Sequence, residues 1–405
     1  MENSLIALGG AFLASALLAR AGRKVGLPTI PLFMAAGIIF GPNTPGISLI
    51  DHPEDVELLA ALGLVLLLFH LGLEFSLDDL AAGGRQLVVA GATYLALNLG
   101  GGLAFGFLLG WGTREALVIA GAVGISSSAI VTKLLVELRR LANPETRLIL
   151  GIVVVEDLFL ALYLAILQPV LSGSSGLRAV RDVVVAFLFV GAIVIVARKG
   201  AALVGKLIAS PDDELLTIGF LGFVILTAGV AEELGVSDAI GAFLAGTVVA
   251  ATVVASRVER LVLPLRDAFA AVFFFAFGLS LDPADASDVA GFVVAAVVLS
   301  FMLNTVAGVV AARLIGEGPD AAARISLTVL ARGEFSLIIA SLAVAAGLDA
   351  RITPFVGLYV FVLALASPAL AARPRWLAVV LRKTGAMPRS PGLRGRTAPP
   401  PARPA

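Results

Sequence analysis

Residues 69–79 read "FHLGLEFSLDD", and residues 275–285 read "FAFGLSLDPAD". A second pair, "FMAAGIIFG" at 33–41 and "AFLAGTVVA" at 242–250, keeps nearly the same offset. In each pair the two copies lie seven apolar segments apart. Seven is odd, so if the segments cross a membrane, the copies run in opposite directions through it. Inverted repeats of this kind build many secondary transporters. The repeat units are expected at 27–171 and 237–372, joined by linker helices at 180–231, within one transmembrane domain spanning 1–372.

The composition requires the membrane. Of 405 residues, 59% are hydrophobic and only 14% are charged. A water-soluble domain carries about a quarter charged residues, and a soluble core could not absorb this much apolar surface. Thirteen apolar segments are long enough to span, or nearly so. The expected fold class is therefore an all-α polytopic membrane protein of about thirteen transmembrane helices. The sequence contains no cysteine and two histidines, His52 and His70, and its formal net charge is zero. Thiolate and histidine metal centres are not expected, and no basic patch points to nucleic acid. The first apolar run lacks a basic start and is read as a helix that stays rather than a cleaved leader.

The lysines and arginines orient the chain. Sixteen fall in or beside the connections after odd-numbered segments, and four fall on the other side. The positive-inside rule then places the N-terminus outside and the C-terminus in the cytoplasm, as expected for a plasma-membrane protein. Residues 373–405, rich in Pro, Gly and Arg, are expected to form a disordered cytoplasmic tail.

Within the sixth segment, Thr146–Leu171, the run "GIVVVEDLFLALYLAIL" sets Glu156 and Asp157 side by side in hydrocarbon. Counting from Arg147 at about 1.5 Å per residue puts them roughly 14 Å deep, close to the middle of the bilayer core. Ionisable groups at that depth point to function. Neighbours on a helix diverge by about 100°, so one can face a cavity while the other reaches sideways. This geometry does not suit an intramembrane aspartyl protease, and no enzyme is expected. The fifth segment, Glu115–Val136, is interrupted by Gly121, Gly124, Ser126, Ser127 and Ser128. The matching point of the second unit, within Ala321–Gly347, carries Arg332, Gly333 and Glu334. Such breaks expose helix ends that coordinate ions, although small residues also let helices pack closely. Lys133 lies near the cytoplasmic end and can snorkel. His70 is either a helix-contact residue or part of a gate. Glu74 is either the partner of a buried cation such as Arg332 or a carboxylate at the membrane boundary.

The segments "ALGLVLLLFHLGLEFSL", "GISSSAIVTKLL", "VVVEDL", "LGVSDAIGAFLAGTVVA", "AVFFFAFGLSLD" and "RGEFSLIIA" occur in order along the chain. Together they resemble the monovalent cation:proton antiporter-2 family, which includes Kef-type potassium systems and bacterial sodium/proton antiporters. The resemblance implies a sodium/proton antiporter-like fold with two crossed broken helices, a core domain moving against a dimerisation domain, and a homodimer. It also implies exchange of K+ or Na+ for protons without a cofactor. Asp157 matches the family's shared ion- and proton-binding aspartate, Glu156 the more variable position before it, and Ser126 to Ser128 the polar break. Where many relatives place a lysine that pairs with the residue before the aspartate, the register gives Asn304, so Arg332 becomes the candidate partner of Glu156. A Kef-type gated efflux system and a sodium-coupled organic-anion symporter are the alternative readings. Any regulation is expected from a separate cytoplasmic subunit.

Overall fold

The computed structural model describes residues 4–24, 27–44, 49–50, 52–74, 84–171, 199–234 and 237–387, with isolated positions between 181 and 195. Among these the fold is helical, without strands. Nine of the described stretches are long and apolar enough to cross a membrane, one of them the interrupted run Thr113–Glu137, and three shorter apolar helices join them. The expected seventh segment, Val180–Ala197, lies almost wholly outside the described residues, so the count of thirteen is not reached among them.

The helices pack into two groups. One comprises α1 (Ser4–Lys24), α2 (Thr29–Phe40) and α3 (Glu57–Glu74), with α9 (Asp213–Glu233), α10 (Asp238–Ala250) and α11 (Ala255–Leu279). The other comprises α4 (Gly84–Leu109), α5 (Thr113–Gly124), α6 (Ser128–Glu137) and α7 (Thr146–Leu171), with α12 (Ala286–Leu314), α13 (Pro319–Thr328), α14 (Glu334–Ala345) and α15 (Ile352–Ala372). A short helix, α8 (Ala201–Ile208), packs beside α9 and α10.

Two of the crossings within the first group are made by a pair of glycines each. At the α3–α10 crossing, a methyl group on Gly72 would sit 2.0 Å from the Phe243 carbonyl oxygen, and one on Gly246 would sit 2.2 Å from that of Phe69. At the α2–α11 crossing, a methyl on Gly37 would sit 2.1 Å from the Phe275 oxygen, and one on Gly278 would sit 2.2 Å from that of Met34. The sequence repeat equates Gly72 with Gly278 and Gly37 with Gly246. The two contacts are thus one backbone-to-backbone crossing made twice. Small residues at such points let helices approach where lipid supplies no hydrophobic drive for association.

The fifth and twelfth expected segments are each broken in two. Residues 125–127 separate α5 from α6, and residues 329–333 separate α13 from α14. Ser127 caps α6 by accepting from the Ile130 amide at 3.3 Å.

The C-terminal region departs from the expectation of disorder over 373–405. Arg375–Lys383 forms a further helix, α16, which packs on α13. Its period explains why: Leu377, Ala378 and Leu381 share one buried face, a pattern that the Pro- and Arg-rich sequence beyond it obscures. Residues 388–405 lie outside the described part.

Candidate ion and proton site

The two chain breaks meet. The Ser127 amide donates to the Ala331 carbonyl at 3.0 Å, and Gly333 lies so close that a side-chain carbon there would be 2.7 Å from Ser127 Oγ. Where helices end inside a membrane, their last carbonyls carry partial negative charge and their first amides partial positive charge. Each kind needs compensation, because no water is available there.

Arg332 answers the carbonyl ends. Fully buried, it donates from Nε to Val123 O of α5 at 2.9 Å. From Nη1 it donates to Val329, Leu330 and Ala331 O, just past α13, at 3.1, 3.2 and 3.3 Å. The Tyr94 hydroxyl donates to Val329 O at 3.1 Å, and the Ser336 hydroxyl to Ala122 O at 2.7 Å. Glu334 stands in the first turn of α14, at the positive end of that half-helix, and its Oε2 accepts from the Ser127 hydroxyl at 2.7 Å.

Glu156 is tied to the same break. Its Oε1 accepts from the Ser126 amide at 2.7 Å and its Oε2 from the Ser126 hydroxyl at 2.6 Å. Both oxygens are engaged by one residue of the α5–α6 connection. Asp157 differs. It is 9% exposed, and its Oδ1 is buried without a hydrogen-bond partner among the described residues. It borders a narrow gap lined by Leu68 and Leu71 of α3, Leu160 and Leu164 of α7, and Ile240 and Phe243 of α10. The side chain therefore stands on the seam between the two helix groups. Ser128 is half-buried in the first turn of α6.

The expected pairing of Glu156 with Arg332 is not made by hydrogen bond or ion pair. Asn304 Nδ2 donates to Asn98 Oδ1 at 3.1 Å and to Ser300 O at 2.7 Å. Arg332 Nη2 reaches the same Asn98 oxygen at 3.3 Å. Asn98 thus links Asn304 to Arg332, while Glu156 takes its donors from Ser126. Sequence reasoning missed Asn98; its only signal was an amide within the apolar run "YLALNLGGG".

Glu74 does not reach Arg332 either. It is 57% exposed at the end of α3, and His70 Nδ1 lies 3.6 Å from its carboxylate. His70 is a helix-contact residue, with its ring nitrogens 3.0 and 3.3 Å from Arg266 Nη1 of α11. His70, Glu74 and Glu259 could each offer one ligand atom to a metal, but Arg266 already occupies the ring edge of His70.

A cavity of about 720 Å³ opens between α3 and α11 on one side and α14 and α15 on the other. Glu54, Glu57, Asp282, Asp285 and Asp349 line it. It lies on the face of the acidic connections, where a cation would be attracted.

Comparison with known proteins identifies the family of the chain. The family described as "Sodium/hydrogen exchanger, transmembrane" matches residues 12–372. The chain is 38% identical over 390 residues to the K(+)/H(+) antiporter subunit KhtU of Bacillus subtilis (strain 168), covering 95% of this chain and 96% of that one. It is 30% identical to the ammonium/H(+) antiporter subunit AmhT of Alkalihalophilus pseudofirmus, covering 80% and 82%. The sodium proton antiporter MjNhaP1 of Methanocaldococcus jannaschii shares the fold with a TM-score of 0.70 at 16% identity, covering 93% of this chain and 98% of that one. This chain belongs to the transmembrane sodium/hydrogen exchanger family of cation/proton antiporters.

Proposed function

We propose that the protein exchanges a monovalent cation, potassium or sodium, for protons across the membrane, with Asp157 as the group both bind in turn. The observation that carries this reading is the buried Asp157 Oδ1, without a partner among the described residues, on the seam between the helix groups. A carboxylate held out of water favours its neutral, proton-bearing form, whereas a bound cation favours the ionised form. Proton and cation therefore exclude each other. If the group containing α7 shifts against α3 and α10 only when Asp157 carries one or the other, exchange follows without ATP. An empty charged site resists passage across the apolar seam, which limits leak.

In this reading Glu156 is a positioning residue that fixes the α5–α6 break against α7. Arg332 and Glu334 hold the half-helix ends in place. The units at 27–171 and 237–372 act as inverted repeats, a reading supported by the doubled glycine crossing. The N-terminus lies outside, the C-terminus in the cytoplasm, and the active form is a homodimer. The relatives KhtU and AmhT are both named as subunits, which supports a separate regulatory partner here as well.

The test is cation-driven proton flux in proteoliposomes, read by a trapped pH dye and compared among potassium, sodium, lithium and rubidium. The wild-type chain should dissipate an imposed pH gradient when potassium or sodium is added, and Asp157→Asn should not. Full exchange by Asp157→Asn would overturn the reading. Cation flux without proton movement would favour a gated efflux system instead.

A further inference from the structure

We propose that α16 is a lipid-binding element that holds anionic phospholipid headgroups against the cytoplasmic end of the helix group carrying the chain breaks. The proposal rests on the membrane-spanning reading of the chain, not on antiport.

Three observations lead to it. First, α16 has two apolar faces. Leu377, Ala378 and Leu381 are buried against the protein, while Trp376, Val379 and Val380 remain exposed, Trp376 by 42%. Second, the exposed face continues a lipid-facing surface. The Trp376 ring stacks on Phe301 of α12, with centroids 5.7 Å apart and planes 16° from parallel. Beside Phe301 runs a stripe at four-residue spacing, Val294, Val298, Met302 and Val306, exposed along a span that must meet acyl chains. At its other end α16 is fastened near the terminus of α12, where Arg313 donates to the Ala386 carbonyl. Third, Arg373, Arg375, Arg382 and Lys383 are exposed around the same helix.

An exposed tryptophan and valines flanked by arginine and lysine are the parts of an interfacial helix: apolar side chains enter the acyl boundary and cations stay at the headgroups. The complementary partner is a negatively charged lipid surface, to which each such cation adds attraction. Arg382 also binds Asp320 at the start of α13 at 2.6 Å. Through α13 the helix touches an element that ends at the Arg332 break.

The test uses the full chain in vesicles and reads Trp376 fluorescence after replacing the other tryptophan by Trp111→Phe. Brominated phosphatidylglycerol in a phosphatidylcholine background should quench Trp376 about twofold or more beyond the same fraction of brominated phosphatidylcholine. Arg375→Gln with Lys383→Gln should remove that preference and leave quenching by brominated phosphatidylcholine in place. If Trp111→Phe folds poorly, the difference between the wild type and Trp376→Phe gives the same signal. Equal quenching by both lipids overturns the proposal. So does quenching by aqueous iodide but not by either lipid, which would turn the face toward water and a soluble protein partner.

Discussion

Ser126 donates twice to Glu156, from its amide at 2.7 Å and its hydroxyl at 2.6 Å, while the next residue, Asp157, keeps Oδ1 buried and without a partner among the described residues. Adjacent carboxylates thus have different surroundings because successive residues on a helix point about 100° apart. One faces the break within its own group, and the other faces the seam.

The first prediction separates the two. On the proposed mechanism Asp157→Asn removes the charge for which proton and cation compete, so exchange should fall to background while folded protein is recovered in normal amount. Glu156→Gln keeps one acceptor but turns an amide toward a Ser126 donor. The cost of one mismatched buried hydrogen bond, about 1–3 kcal/mol, should lower stability and reduce the rate without abolishing it. Dye-monitored flux and thermal unfolding of the detergent-solubilised protein, measured on both variants, check this. Equal loss of flux in the two variants would contradict the division of roles.

A second prediction concerns the doubled crossing. A methyl group on Gly72 or Gly278 meets a backbone carbonyl, which cannot yield as a flexible side chain can. Gly72→Ala and Gly278→Ala should each destabilise the fold by about 1–3 kcal/mol or more. Gly222→Ala in α9 meets nothing within 4 Å and should be neutral or slightly stabilising. Melting temperatures of the three variants give the comparison.

How much of this was legible in the sequence depends on the kind of contact. The repeated segments were visible, but not that their glycines meet, because nothing in the spacing brings Gly72 to Gly246 or Gly37 to Gly278. The Glu156–Asp157 pair and the two breaks were visible because charge and helix-interrupting residues stand out in an apolar run. The partner of Glu156 was not, because charge alone favours Arg332, whereas the folded break brings the Ser126 amide to the carboxylate first. Arg332 is occupied by carbonyls from two half-helices that lie far apart in sequence. No spacing rule brings Val123 to Arg332, or Asn98 between Arg332 and Asn304. The α16 helix was hidden by composition, since Pro, Gly and Arg beyond it outweigh nine residues of amphipathic pattern.

A third prediction is a pH dependence of stability outside the membrane. Glu145 precedes α7, is 1% exposed and pairs with Arg324, with Asn143 Nδ2 also donating at 3.0 Å. Burial pushes its carboxyl upward, but the hydrogen bonds from Arg324 and Asn143 outweigh this and hold it below the ordinary carboxylate value. A depressed folded-state value means the unfolded chain binds the proton more readily. The stabilisation is therefore present above the ordinary carboxylate range and is lost as pH falls through the lowered folded value. Glu145→Gln should cost roughly 1–2 kcal/mol at neutral pH and flatten the acid limb of a melting-temperature profile. A parallel profile for the variant would count against the assignment.

The last prediction concerns Arg332, whose guanidinium serves carbonyls at the ends of both α5 and α13 and the Asn98 amide oxygen. The planar fork presents five donors in fixed directions, while an ammonium presents three from a single point. Arg332→Gln removes the positive charge and leaves several buried carbonyls without donors, each costing about 1–3 kcal/mol, so little folded protein should accumulate. Arg332→Lys keeps the charge but cannot span both half-helix ends. It should fold and still lose about tenfold in exchange rate, since a shift equivalent to one hydrogen bond, about 1.4 kcal/mol, is enough to do so. Flux normalised to reconstituted protein measures the effect. A full rate in Arg332→Lys would mean that positive charge alone, without the fork that joins the two breaks, is sufficient.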